Sequence, residues 1–126
     1  MAKRTKQLTE EVAERRRQED ESPRLRTVIP SLSALRLELS ESRREGPIDL
    51  SHIKRIVVEN APSVFVLPCG EPRCRRGSYD LTGSIIAGLH RGVARIVASD
   101  TCLGDVGSAQ CGRVMHCIAV AEYTPA

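Results

Sequence analysis

Four of the five cysteines fall into two close pairs, and a chain that must bring them together has few folds open to it. Cys69 and Cys74 lie in Leu67-Pro68-Cys69-Gly70-Glu71-Pro72-Arg73-Cys74. Cys102 and Cys111 flank a Gly-containing loop, residues 103–110. Two thiol pairs on two loops can close a tetrahedral zinc site, with thiolates about 2.3 Å from the ion. The spacings are C-x4-C and C-x8-C rather than C-x2-C, a zinc-ribbon-like arrangement with loosened knuckles. The sequence therefore predicts structural zinc held by Cys69, Cys74, Cys102 and Cys111. Four ordinary thiols, or two labile disulfides, remain the alternatives.

The chain has 126 residues and a formal net charge of +3. Its first 26 residues hold much of the charge and little apolar content, and they read as a charged N-terminal helix or tail. The remainder, 27–126, reads as a single α+β zinc-ribbon-like domain, long enough for a modest core. Metal binding coupled to folding would add stability to a domain of this size.

The pattern over residues 8–21 predicts a helix, with Thr9 as N-cap and Glu11 set to pair with Arg15 four residues on. Ser22-Pro23 ends it. From Ser31 to Ser40, Leu35, Leu37 and Leu39 alternate with Arg36, Glu38 and Ser40, the period of a half-buried strand. Residues 52–59, 64–67, 93–99 and 113–123 supply four more strands. Between them Asp80 reads as the cap of a helix over 81–90, with Leu81, Ile85, Ile86 and Leu89 on one face and Gly92 just past its end. Gly83 and Gly88 in that helix point to close packing of helix on sheet. The fold class is α+β: a small, mostly antiparallel sheet of about five strands with one packed helix in a strand–helix–strand unit. With 64–67 and 93–99 parallel in one sheet, and 113–123 antiparallel to the latter, all four paired cysteines reach one edge.

Cys117 falls inside the last strand, between His116 and Ile118, and reads as a buried free thiol. His116 points to the opposite face of an ideal strand. Arg73, Arg75 and Arg76 surround Cys74, where they offset the charge of a four-thiolate centre or bind an anionic partner. Lys54, Arg55 and Arg113 extend that patch where they share its side.

Charge and composition narrow the function. The folded part carries a small basic excess, and Phe65, Tyr79 and Tyr123 are its only aromatic residues. That is a weak basis for a charge-driven or base-stacking nucleic-acid platform. No run of about 18 apolar residues is present, so no membrane span is expected, and a basic start without an apolar segment points to a cytoplasmic protein. His52, His90 and His116 lack ligand-like spacing, and no G-x-S-x-G, H-E-x-x-H or phosphate-binding glycine loop occurs, so an enzyme is poorly supported. Asp105 is a candidate base, although a loop aspartate more often bonds its own turn. The reading is a cytoplasmic binding or adaptor module with a protein partner. A nucleic-acid- or ribosome-associated factor using the Arg-rich edge, and a thiol-based redox sensor, are the alternatives. Neither the identity of the partner nor the oligomeric state is legible.

Overall fold

In the computed structural model, the structure describes residues 2–125, with side chains from Glu10 onward. The element order is α1 (Ala2–Glu21), α2 (Leu25–Val28), β1 (Leu32–Ser42), β2 (Ile48–Ile56), β3 (Val66–Pro68), β4 (Ser78–Asp80), α3 (Thr82–His90), β5 (Arg95–Thr101), β6 (Asp105–Val106), β7 (Ala109–Gln110) and β8 (Val114–Tyr123). The class is α+β.

The main sheet has four antiparallel strands in the order β2-β1-β8-β5. β1 and β8 form its centre, and their alternation decides the faces. Leu35, Leu37 and Leu39 are buried, with Cys117, Ala119 and Ala121 opposite them on β8. Arg36 and His116 point away to the exposed face. Burying side chains of the leucine class contributes about 1.5–3 kcal/mol each, so the leucine row of β1 is a major support of the core. Leu25, Leu32, Leu81, Ile85 and Leu89 pack against the same side. Leu25 is fully buried, and its N–H donates to Ala61 O at 2.8 Å.

α3 lies against β5. A Cβ on Gly88 would fall 2.6 Å from Ile96 Cγ1, so the absence of a side chain is what lets helix and strand approach. Gly83 faces open space and has no such role. α3 begins at Thr82 with Leu81, not Asp80, at its N-cap position; Asp80 Oδ1 still accepts the Thr82 N–H at 3.0 Å, and Gly92 sits beyond the helix end at φ 70°.

Several sequence expectations meet a different arrangement. β3 does not join β5 in a parallel sheet. It pairs antiparallel with β4 as a separate ribbon, Val66 to Asp80 and Pro68 to Ser78. The chain turns back through residues 69–77, so Ser78-Tyr79-Asp80 is the nearest edge for β3 to hydrogen-bond. A strand–helix–strand succession does occur, as β4, α3 and β5, but the strand before the helix lies outside β5's sheet. β2 starts at Ile48 rather than His52, and residues beyond Ile56 leave the sheet for a turn. α1 begins at Ala2, so its helical backbone runs through Thr9. Glu11, expected to pair with Arg15, instead accepts the Arg76 N–H at 2.6 Å. No helix among the described residues is long and apolar enough to cross a membrane.

Candidate metal centre

Two loops and two strand ends deliver the cysteines. Cys69 follows β3, and Cys74 closes a tight turn in which its N–H donates to Glu71 O at 3.0 Å. Cys102 follows β5, its N–H bonded to Arg113 O at 2.8 Å. Cys111 follows the β6–β7 ribbon, and its N–H donates to Gly104 O at 2.7 Å. The two knuckles are stitched together by a pair of backbone bonds, Arg75 N–H to Asp105 O at 2.7 Å and Asp105 N–H to Arg75 O at 2.9 Å. Asp105 thus joins the loops through its main chain.

The four Sγ atoms lie within 4.8 Å of one another. Cys69 Sγ is 3.7 Å from Cys111 Sγ, and Cys74 Sγ is 3.6 Å from Cys102 Sγ. Four sulfurs at 2.3 Å from a tetrahedral ion are separated by about 3.8 Å. Both close pairs are near that edge, and both are far beyond the S–S bond of about 2.05 Å. All five cysteines are free thiols. The close pairs run between the loops rather than within them. The arrangement can hold a metal ion.

Small residues make the convergence possible. A Cβ on Gly77 would run into Cys74 Sγ and lie 2.5 Å from Cys102 Sγ. One on Gly104 would lie 2.6 Å from Cys74 Sγ and 2.5 Å from Arg75 O. Either side chain would occupy the space around the sulfurs. Gly104 also donates its N–H to Cys102 Sγ at 3.4 Å, the kind of bond that steadies a ligand sulfur.

Burial, followed by hydrogen bonding with Cys102 and Cys111, pushes the Cys74 thiol far above its usual range. Burial pushes Cys102 up to about 11. Cys117 stands apart on β8, fully buried, its thiol raised to about 11 by burial and then by the Glu38 carboxylate.

Beneath Cys69 lies a polar network. Glu41 is buried on the inner face of β1, two residues after Leu39. Its Oε1 accepts the Tyr79 hydroxyl at 2.8 Å and the Gly70 N–H at 2.9 Å. Arg113 Nε lies 3.7 Å from the same oxygen, without a hydrogen-bond partner of its own among the described residues. The Arg113 guanidinium grips Asp49 in bidentate fashion, with Nη1 2.9 Å from Oδ2 and Nη2 2.5 Å from Oδ1. That bond holds the Asp49 carboxyl below its usual value. Arg113 is therefore buried, and it does not extend a surface patch as its charge suggested. Its two carboxylates lie on β1 and β2, 72 and 64 residues away, too far along the chain for sequence spacing to reveal them.

The flanking arginines do stay outside. Arg73, Arg75 and Arg76 are exposed around Cys74. Arg73 folds back on Glu71, with Nε 3.1 Å from Oε1. Lys54 and Arg55 are exposed on β2. The sequence reading missed Glu41, Tyr79, Gly77 and Gly104. Glu41 had a signal: it continues the Leu35, Leu37, Leu39 parity, so an acid fell where the pattern called for an apolar side chain. Comparison with protein families, with curated proteins and with solved structures finds no match.

Proposed function

We propose that this chain is a cytoplasmic binding or adaptor module whose ligand-facing edge is held together by structural zinc. The observation that carries the reading is the cluster of four sulfurs within 4.8 Å, drawn from two loops that are themselves cross-bonded. A four-thiolate donor set favours zinc over hard cations, and a site with four protein ligands is closed to substrate. Zinc there links Cys69 and Cys74 to Cys102 and Cys111, so its binding energy becomes folding energy. The network of Glu41, Tyr79 and Arg113 orients the Cys69 side of the site.

The partner we propose is a protein with an acidic surface. Arg73, Arg75 and Arg76 project from the knuckle, and α1 reaches the same place through Glu11 and the Arg76 N–H. Guanidinium groups on a rigid loop suit carboxylates, which they can grip with two parallel bonds.

Elemental analysis of untagged protein tests the metal. One zinc per chain, with a large loss of thermal stability on chelation, is expected. Metal-free protein that keeps its full stability and forms reversible disulfides would support the redox reading instead. For the partner, affinity capture with wild type and with Arg73, Arg75 and Arg76 changed to Ala is compared after nuclease treatment. Loss of an acidic protein from the variant supports the adaptor. A retained species that is nucleic acid, released steeply by salt, supports the alternative.

A further inference from the structure

The arginine-rich knuckle already holds a carboxylate, and the chain supplies it from α1. Glu11 Oε1 accepts the Arg76 N–H at 2.6 Å across 65 residues of sequence. Glu11, Arg15 and Glu19 are half-buried at four-residue spacing, which turns one face of α1 toward the domain, whereas Glu10 and Glu14 are exposed. Among the described residues, no other side chain between Glu10 and Gln18 bonds to the domain that follows; Arg17 and Gln18 both bond to Glu14 within the helix. The far end of α1 is pinned more firmly. Arg24 donates to Glu19 O at 2.7 Å and to Asn60 O at 3.0 Å. The helix is therefore a strap, anchored at residues 19–24 and fastened over the knuckle by one bond.

The position that Glu11 fills is built for an anion. Arg76 sits at φ 60°, in the left-handed region that residues other than glycine rarely adopt. Such strain persists where the surroundings fix it, and it gathers at ligand clamps. Here the N–H and C=O of Arg75 are both bonded to Asp105, so the Arg76 donor stands on a braced backbone. Arg73 is engaged by Glu71, but Arg75 and Arg76 are exposed and make no ion pair among the described residues. Glu11 thus takes the main-chain donor and leaves two guanidinium groups to water. A ligand with several neighbouring carboxylates satisfies the N–H and both forks at once, which α1 does not.

We propose that the Arg75–Arg76 segment is a carboxylate-binding site, occupied by Glu11 in the isolated chain, and that an acidic peptide segment of a partner displaces it. This rests on the acidic-partner reading above and adds its regulation: the chain competes with its own ligand. Apparent affinity falls by the fraction of molecules whose site is open, so a strap closed about nine-tenths of the time weakens binding about tenfold.

Fluorescence anisotropy with a labelled hexaglutamate peptide, on the full chain at fixed salt, tests this. Glu11→Ala should bind about tenfold more tightly than wild type, with an unchanged circular dichroism spectrum. Glu10→Ala removes the same charge from the exposed neighbour and should bind as wild type does. Adding Arg75→Ala and Arg76→Asn, the latter suited to left-handed backbone, should abolish the gain. The Arg76 amide should exchange about tenfold faster in Glu11→Ala and at the wild-type rate in Glu10→Ala. Equal binding by wild type and Glu11→Ala overturns the proposal and leaves the acidic-partner reading standing. So does an equal gain in Glu10→Ala, which would be a net-charge effect, or Arg76 exchange indifferent to Glu11→Ala. Hexaglutamate that binds neither wild type nor Glu11→Ala overturns both readings. An oligonucleotide that gains from Glu11→Ala where hexaglutamate does not overturns the acidic peptide as occupant.

Discussion

The Tyr79 hydroxyl donates to Glu41 Oε1 at 2.8 Å and lies 3.7 Å from Cys69 Sγ, so one side chain joins the central strand of the sheet to the sulfur cluster. Tyr79 is fully buried, and removing its hydroxyl leaves Glu41 with one donor fewer in a place water does not reach. Tyr79→Phe is expected to lower stability by about 1–3 kcal/mol and to keep the metal stoichiometry, because all four cysteine sulfurs remain although Cys69 Sγ loses the hydroxyl beside it. Denaturant melts and elemental analysis of the same samples check this. A double cycle with Glu41→Gln should be clearly non-additive, as expected for groups in one network.

Gly77 is the tightest point of the cluster. A methyl group there enters the space of two sulfurs and lies 3.3 Å from Cys69 Cβ, so three of the four cysteines crowd it. Gly77→Ala is expected to abolish most metal binding and to lower the melting temperature by much more than an ordinary helix or loop change. Gly83→Ala is the control. It meets nothing, sits in α3, and should be neutral or stabilising by about 0.5–1 kcal/mol. Equal metal content in the two variants would show that the crowding around the sulfurs does not matter.

Arg113 is the cation that accompanies a buried carboxylate. Arg113→Met keeps most of the volume but strands the Glu41 charge, and such a loss costs about 3–5 kcal/mol. Adding Glu41→Gln to that background removes the stranded charge and should recover part of the loss. The comparison is made by equilibrium unfolding of metal-loaded protein. A recovery near zero would place the damage in packing rather than charge.

Asp49 supplies the acid dependence. Its carboxyl is held below the usual range by the Arg113 guanidinium. A group depressed in the folded state stabilises above its unfolded pKa of about 3.9 and loses that contribution as pH falls through the folded value. The stability gap between wild type and Asp49→Asn should therefore be constant over about pH 5 to 8 and narrow below about pH 4. Thermal melts of both proteins across this range provide the measurement. A gap that widens on acidification would contradict the ion pair.

Much of the local structure is legible in the chain. The Leu35, Leu37, Leu39 alternation marks β1 and its buried face, and Gly92 marks the end of α3 while Asp80 places its start one residue early, because these signals depend on neighbours a few residues apart. The shared edge for the cysteines was also foreseen, but by a route the fold does not take. A parallel pairing of residues 64–67 with β5 was expected, whereas β3 turns back onto β4. The choice between a distant strand and a nearby one depends on how the knuckle folds, and spacing alone leaves that open.

The sequence by itself determined which residues could be strand, helix or turn, and which side chains carry sulfur or charge, since these follow from residue chemistry and short-range periodicity. Only the tertiary structure decided the partners. Cys69 lies nearest Cys111 rather than Cys74, Arg113 is drawn inward by carboxylates on β1 and β2, and glycines at 77 and 104 leave room for sulfur. Each of these relations joins residues brought together by packing, and the energy of such a contact depends on distance in space, which the order of residues along the chain does not contain.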